Sequence, residues 1–128
     1  MSETIMIVDD SGTIRDQVAG ILSAAGYGVL QAVDGADALA QIRKGGVLSL
    51  VVCDVNMPNM NGIELLEKIR SDGGYDGLPI LMLTTEGQPE LLARARALGA
   101  RGWMVKPFQS DHLVRAVQKL VRKPGAAG

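Results

Sequence analysis

A chain of 128 residues with 47% hydrophobic and 21% charged side chains is long enough to bury one core, and its composition excludes disorder and fibrous repeats. Its formal net charge of -1 gives no general attraction to nucleic acid or a membrane surface, and no apolar stretch approaches the roughly 20 residues that span a bilayer. The single cysteine, Cys53, excludes an internal disulfide, and the chain opens on an apolar run rather than a basic segment with a signal core; cytoplasmic residence is expected. Aromatic residues make up only 3%, so Ile, Leu, Val, Met and Ala must fill the core, and Trp103 stands out.

Continuous apolar runs predict strands at about 4–8, 28–33, 48–53, 79–83 and 102–105, each covered on both faces. A helix is expected after the first, with Ile14, Val18, Ile21, Leu22 and Ala25 on one face and Gly26 as its stop. A second runs from about Ala36 to Arg43, with Leu39 and Ile42 inward and Gly45 and Gly46 closing it. The third starts near Gly62, buries Ile63, Leu66 and Ile69, and ends before the turn-rich stretch from Ser71 to Gly77. The fourth begins at Pro89, suited to a first helical position, and runs to Leu98, with Gly99 after it. The last carries Leu113, Val117, Leu120 and Val121 on one face and is ended by Pro124. Strict alternation of strand and helix implies right-handed βαβ units, hence a doubly wound (βα)5 domain with a five-stranded parallel sheet. Residues 1–123 are expected to form that domain, with 124–128 as a flexible tail.

Four of the strand runs end in reactive side chains: Asp9 and Asp10 after the first, Asp54 after the third, Thr84 after the fourth and Lys106 after the fifth. In a parallel sheet those ends share one edge, where open α/β folds place ligand sites. Three clustered carboxylates repel one another, so a divalent cation is expected, and a partly hydrated all-oxygen site favours Mg²⁺. A lysine facing them can neutralise the cluster or hold an arriving phosphoryl group, and a threonine hydroxyl can donate to a phosphoryl oxygen. Together these groups describe an aspartate that becomes phosphorylated, with Mg²⁺ and Lys106 offsetting charge and Thr84 sensing the product.

Val8, Asp9 and Asp10, the segment Asp54 to Gly62 (Asp54, Asn56, Met57, Pro58, Asn59, Met60, Asn61, Gly62), Thr84 with Glu86, and Lys106, Pro107 and Phe108 together resemble the response-regulator receiver family, and within it the single-domain chemotaxis regulators. The resemblance implies a flavodoxin-like fold with strand order 2-1-3-4-5. It implies that Asp54 accepts a phosphoryl group from a phosphohistidine of a CheA-like sensor histidine kinase or a phosphotransfer protein. Asp10, Asp54 and the backbone carbonyl of Asn56 bind Mg²⁺ in this reading, and Asp9 holds a metal-bound water. Lys106 contacts Asp54 and then the phosphoryl group, Thr84 swings toward it, and the Lys106–Pro107 bond is cis. The product is a signalling switch that catalyses only its own phosphotransfer and autodephosphorylation. Its output face comprises the fourth helix, fifth strand and fifth helix, available to a downstream target or phosphatase; the chain is expected to be a monomer that binds neither nucleic acid nor membrane. Departures from the family pattern concentrate on partner contact: Trp103 replaces the usual Tyr or Phe, Thr85 is larger than the usual small residue, Asn61 stands for an aspartate, and Gln88 with Pro89 occupy a region that motor-binding members keep basic.

Other readings use the same residues. A haloacid-dehalogenase-like phosphatase also needs an acid–base aspartate two residues after its nucleophile, where this chain has Asn56. A phosphorylation-independent adaptor would not need the full reactive set. A phosphate sink or phosphorelay intermediate without motor output would use the whole set. Cys53 is expected to pack, His112 to be solvated or capping, and Arg94, Arg96, Arg101 and Arg115 to face solvent. The methionines are read as core fillers, except Met57 and Met60, which are expected to touch partners.

Overall fold

The computed structural model describes residues 3–57, 60–72, 77–84 and 89–121. Within them the elements alternate as β1 (Thr4–Val8), α1 (Gly12–Ala24), β2 (Gly28–Ala32), α2 (Gly35–Arg43), β3 (Leu50–Asp54), α3 (Gly62–Asp72), β4 (Ile80–Thr84), α4 (Pro89–Ala97), β5 (Gly102–Val105) and α5 (Ser110–Leu120). The five strands form one parallel sheet in the order β2-β1-β3-β4-β5. The expected doubly wound fold and its strand order are therefore present.

Successive side chains on a strand point to opposite faces, and the two cores follow that period of two. Ile5 and Ile7 of β1, with Leu50 and Val52 of β3, pack against Val18 and Leu22 of α1 and Leu113 and Val117 of α5. Met6, Val8, Val51 and Cys53 face the other way, toward α2, α3 and α4. Both faces are covered, which is why the runs read as uninterrupted apolar stretches rather than alternating ones. Each fully buried Leu or Ile contributes roughly 1.5–3 kcal/mol by leaving water.

Helix boundaries have local causes. The Ser11 hydroxyl accepts from the Ile14 amide at 3.3 Å and starts α1, and the Asp34 carboxylate accepts from the Asp37 amide at 2.8 Å and starts α2. Gly26, with φ of 98°, takes the left-handed conformation that ends α1. At α3 the residue read as a departure has a structural use: Asn61 Oδ1 accepts from the Glu64 amide at 2.8 Å, and Glu64 Oε1 accepts from the Asn61 amide at 3.1 Å. That reciprocal capping box needs an Asn or Asp only as an acceptor.

Small shifts from the expected boundaries matter at the site. β2 stops at Ala32 and α4 at Ala97, each one residue early, whereas β3 and β4 extend through Asp54 and Thr84. Asp54 is paired in register with Leu83, and Thr84 with Val105, so both reactive residues are fixed by the ladder rather than carried by a loop. Among the described residues no helix is long and apolar enough to cross a membrane. The expected tail, 124–128, lies outside the described residues.

Candidate functional site

The strand order makes the carboxyl ends of β1 and β3 neighbours, at the point where the chain's winding direction reverses. Asp9, the first residue past β1, is 1% exposed, and Asp54, the last of β3, is 5% exposed. Asp10 is exposed beside them. The three carboxylates each offer an oxygen, all within 4.8 Å of one another. Lys106, directly after β5, spans the cluster: its ammonium donates to Asp9 Oδ2 at 3.1 Å and lies 3.3 Å from Asp54 Oδ1. Its amide donates to the Thr84 carbonyl at 2.8 Å, which ties the lysine to the end of β4. The Lys106–Pro107 bond is cis, as expected, and Pro107 is exposed.

Electrostatics follow from that packing. Burial, then the Asp9 charge, push the Asp54 carboxyl above the ordinary carboxylate range, against the lowering effects of Lys106 and the Asn56 amide. Burial pulls the Lys106 ammonium down, but its bond to Asp9 and the charges of Asp54 and Asp9 outweigh this, and it titrates above the usual lysine value. The one ammonium and the two buried anions are thus mutually dependent. One ammonium faces three carboxylates, and the surplus of hard oxygen donors suits a small divalent cation.

The two oxygens of Asp54 are not equivalent. Lys106 and the Asn56 amide, at 3.3 Å each, both meet Oδ1. Among the described residues Oδ2 has no hydrogen bond and no unpartnered side-chain oxygen is buried, so Oδ2 is open to the crevice. Asp9, in contrast, is bonded at both oxygens: Oδ1 accepts from the Ser11 amide at 2.9 Å and Oδ2 from Lys106 at 3.1 Å. The position of Asp54 also depends on Gly62, whose amide donates to the Val55 carbonyl at 3.0 Å. A Cβ there would sit 2.6 Å from the Asp54 carbonyl oxygen, so only glycine lets α3 start this close to β3.

Of the expected site residues, the structure brings together Asp9, Asp10, Asp54 and Lys106, with Asn56 bonded to Asp54 through its amide and Thr84 buried at the end of β4. Thr85, Glu86 and Gln88 lie outside the described residues, as do Pro58 and Asn59. Trp103 is half-buried on β5, packs against the α2–α4 side core, and has the Arg96 guanidinium 4.5 Å from its ring centroid. Arg96 is exposed, as expected, and uses that position to stack on the ring. Arg94 likewise is paired with Glu67, both carboxylate oxygens at 3.0 Å. Met57 and Met60, expected to touch partners, are partly buried against the core and keep part of their surface exposed. Cys53 is buried, and burial first, then the Asp54 charge, push its thiol far up, consistent with packing. His112 is exposed in the first turn of α5.

Two participants, Ser11 and Arg15, are not singled out by the sequence. Ser11 fixes the Asp9 carboxylate through its amide, and its N-cap position before Ile14 was a legible signal. Arg15 Nη1 donates to the Asp9 carbonyl at 2.7 Å and its Nε to Gln31 Oε1 at 3.2 Å. Those two contacts join residues from α1, the β1–α1 turn and β2, and no local pattern announces them.

Residues 5–118 match the family model described as the response regulator receiver domain. The chain is 40% identical over 120 residues to chemotaxis protein CheY-3 of Vibrio cholerae, covering 93% of this chain and 92% of that protein. It is 38% identical over 105 residues to chemotaxis protein CheY1 of Helicobacter pylori, covering 81% and 85%. Among solved structures it is similar to chemotaxis response regulator CheY4 of Vibrio cholerae, with a TM-score of 0.87 and 42% identity over 94% of this chain and 99% of that one. The strand-end cluster, the sheet order and these likenesses agree: the chain belongs to the response regulator receiver domain family.

Proposed function

We propose that this chain is the phosphoacceptor of a chemotaxis-type two-component system, with residues 1–123 as the receiver domain, 124–128 as a tail, and Asp54 as the phosphorylated residue. The observation that carries the proposal is the asymmetry of Asp54: Oδ1 is held by Lys106 and Asn56 while Oδ2 faces the crevice. In the transfer, an Oδ2–P bond forms as the P–N bond of a kinase phosphohistidine breaks; the imidazole keeps the electron pair and takes a proton from solvent. Asp10, Asp54 and the Asn56 carbonyl would hold Mg²⁺, and Asp9 would act through a bound water because its own oxygens are already engaged. When bound, Mg²⁺ supplies charge neutralisation for the phosphoryl oxygens. Lys106, already beside Asp54, would supply the remaining positive charge, and the Thr84 hydroxyl would donate to the product. Water attacking phosphorus reverses the modification, releasing inorganic phosphate and restoring the carboxylate.

The readout would be a shift in a pre-existing equilibrium of the face formed by α4, β5 and α5, including Trp103. Moving that equilibrium from 1:99 to 99:1 takes about 5.5 kcal/mol of differential stabilisation. A CheA-like kinase as donor and a cytoplasmic, monomeric state are parts of the same proposal, and the names of the Vibrio cholerae and Helicobacter pylori relatives support the chemotaxis assignment. Incubation with Mg²⁺ and acetyl phosphate, followed by intact mass, should give one phosphoryl adduct on the native chain and none on Asp54→Asn. An equal adduct on both chains, or none on either, defeats the proposal.

A further inference from the structure

Asp10 is the one carboxylate of the cluster that the protein does not hold directly: it is exposed, and among the described residues no hydrogen bond reaches its side chain. Its place is therefore set by its backbone. The peptide unit entering Asp10 is planar, so fixing the Asp9 carbonyl fixes the plane from which Asp10 departs. That carbonyl accepts from Arg15 Nη1 at 2.7 Å, the shortest contact around Asp9. Arg15 is itself anchored, since its Nε donates to Gln31 Oε1 at 3.2 Å, and Gln31 sits in β2, held through its carbonyl by Gln41 of α2 at 2.9 Å. β2 is the one strand that ends without a reactive group, and this relay gives it a route into the site.

We infer that Arg15, anchored by Gln31, is a positioning residue for the acidic pocket: it holds the Asp9–Asp10 peptide so that Asp10 presents its carboxylate to a divalent cation beside Asp54. The inference rests on the Mg²⁺ reading above. A guanidinium near a cation site has two opposed effects. Its charge repels the incoming dication, whereas its hydrogen bond orders a ligand. Losing an outer residue that orients a ligand typically costs 10–100-fold in metal affinity. Arg15 acts through one backbone carbonyl rather than on the carboxylate, which places its effect at the lower end. Lysine in its place can reach the carbonyl or the glutamine but lacks the fork that reaches both.

The test is calorimetric titration of Mg²⁺ into the full chain, with thermal midpoints in metal-free buffer measured on the same samples. Asp54→Asn serves as the control for the site itself. Arg15→Gln is expected to weaken Mg²⁺ binding about tenfold. Gln31→Leu, an exposed position that keeps the Arg15 charge, is expected to weaken it about threefold, and Arg15→Lys should fall between the native chain and Arg15→Gln. Tighter Mg²⁺ binding by Arg15→Gln would mean that charge alone operates and overturns the inference. Affinity within twofold of native, whatever the change in midpoint, assigns Arg15 to the fold only and also overturns it. A native chain that binds no Mg²⁺, or Asp54→Asn binding as the native does, overturns the reading of the site and the inference with it.

Discussion

Replacing Lys106 by methionine keeps most of the side-chain volume and removes the one ammonium that, among the described residues, pairs with the buried carboxylates. Its contacts with Asp9 and Asp54, at 3.1 and 3.3 Å, are each worth about 5 kcal/mol by Coulomb's law at an effective dielectric of about 20. Desolvation of the ammonium takes back much of this. What survives removal is two anions, 1% and 5% exposed, without their partner, a situation that costs about 3–5 kcal/mol when a buried pair is broken. Because the Lys106 side chain is itself 20% exposed, the lower figure, about 3 kcal/mol, is expected. Urea denaturation at pH 7.5 in metal-free buffer should show a lower midpoint with an unchanged slope. Two further arms report on cause. Lysine titrating above its ordinary value contributes stability below the unfolded pKa near 10.5, lost as pH rises through the folded value, so the native advantage is fully present at pH 7.5. On the acid side the unpaired carboxylates of the variant can protonate, and the deficit should shrink at pH 5.5. Saturating Mg²⁺ should shrink it too, because the variant lacks the ammonium that repels the ion and binds it more tightly than the native chain does, each tenfold in affinity narrowing the deficit by about 1.4 kcal/mol. A variant within 1 kcal/mol of native, or a deficit indifferent to both pH and Mg²⁺, would refute the electrostatic account.

Asp54→Asn should be more stable than the native chain in metal-free buffer at pH 7.5, because burial and Asp9 hold the native carboxyl above its unfolded value. That penalty exists above the raised pKa and vanishes as pH falls toward the unfolded value, so the advantage of asparagine should fade in acid; a constant advantage across the range contradicts it. Gly62→Ala should cost about 1–3 kcal/mol, since its methyl carbon meets the Asp54 carbonyl oxygen at 2.6 Å and the Val55 Cα at 3.0 Å; an unshifted urea midpoint would count against the close approach. Arg96→Ala should uncover the Trp103 ring, raising acrylamide quenching and costing no more than about 1 kcal/mol of stability, and identical quenching in both chains would dismiss the stacked contact.

The strand ends were legible because a parallel sheet converts sequence position into spatial position: Asp9, Asp54, Thr84 and Lys106 are far apart in the chain and meet at one edge for purely topological reasons. The helix starts at Ser11, Asp34 and Asn61 were readable in principle, because an N-cap is a contact over three residues. Arg15 was not, since its two acceptors belong to a turn and to another strand, and their juxtaposition exists only once α1 has docked. The same holds for Arg96 over Trp103, which requires α4 to settle against β5. For Met57 and Met60 nothing local in the sequence reveals that they pack partly against the core, and the expectation of partner contact stands. For Thr85, Glu86 and Gln88 the sequence reading stands as an expectation.

Lys106 and Asp9 are 97 residues apart and follow strands that are not neighbours, β5 and β1, with β3 and β4 between them. This contact has one of the largest sequence separations in the domain, and it can close only after the last strand has joined the sheet. During synthesis, β1 and β3 can pair long before β5 emerges, and until then their acidic ends lack the ammonium that compensates them. Folding speed falls as such distant contacts dominate. The cluster thus has a temporal meaning as well as a chemical one: its charge is balanced last, so a chain arrested before β5 exposes an acidic edge that favours solvent and opposes premature closure.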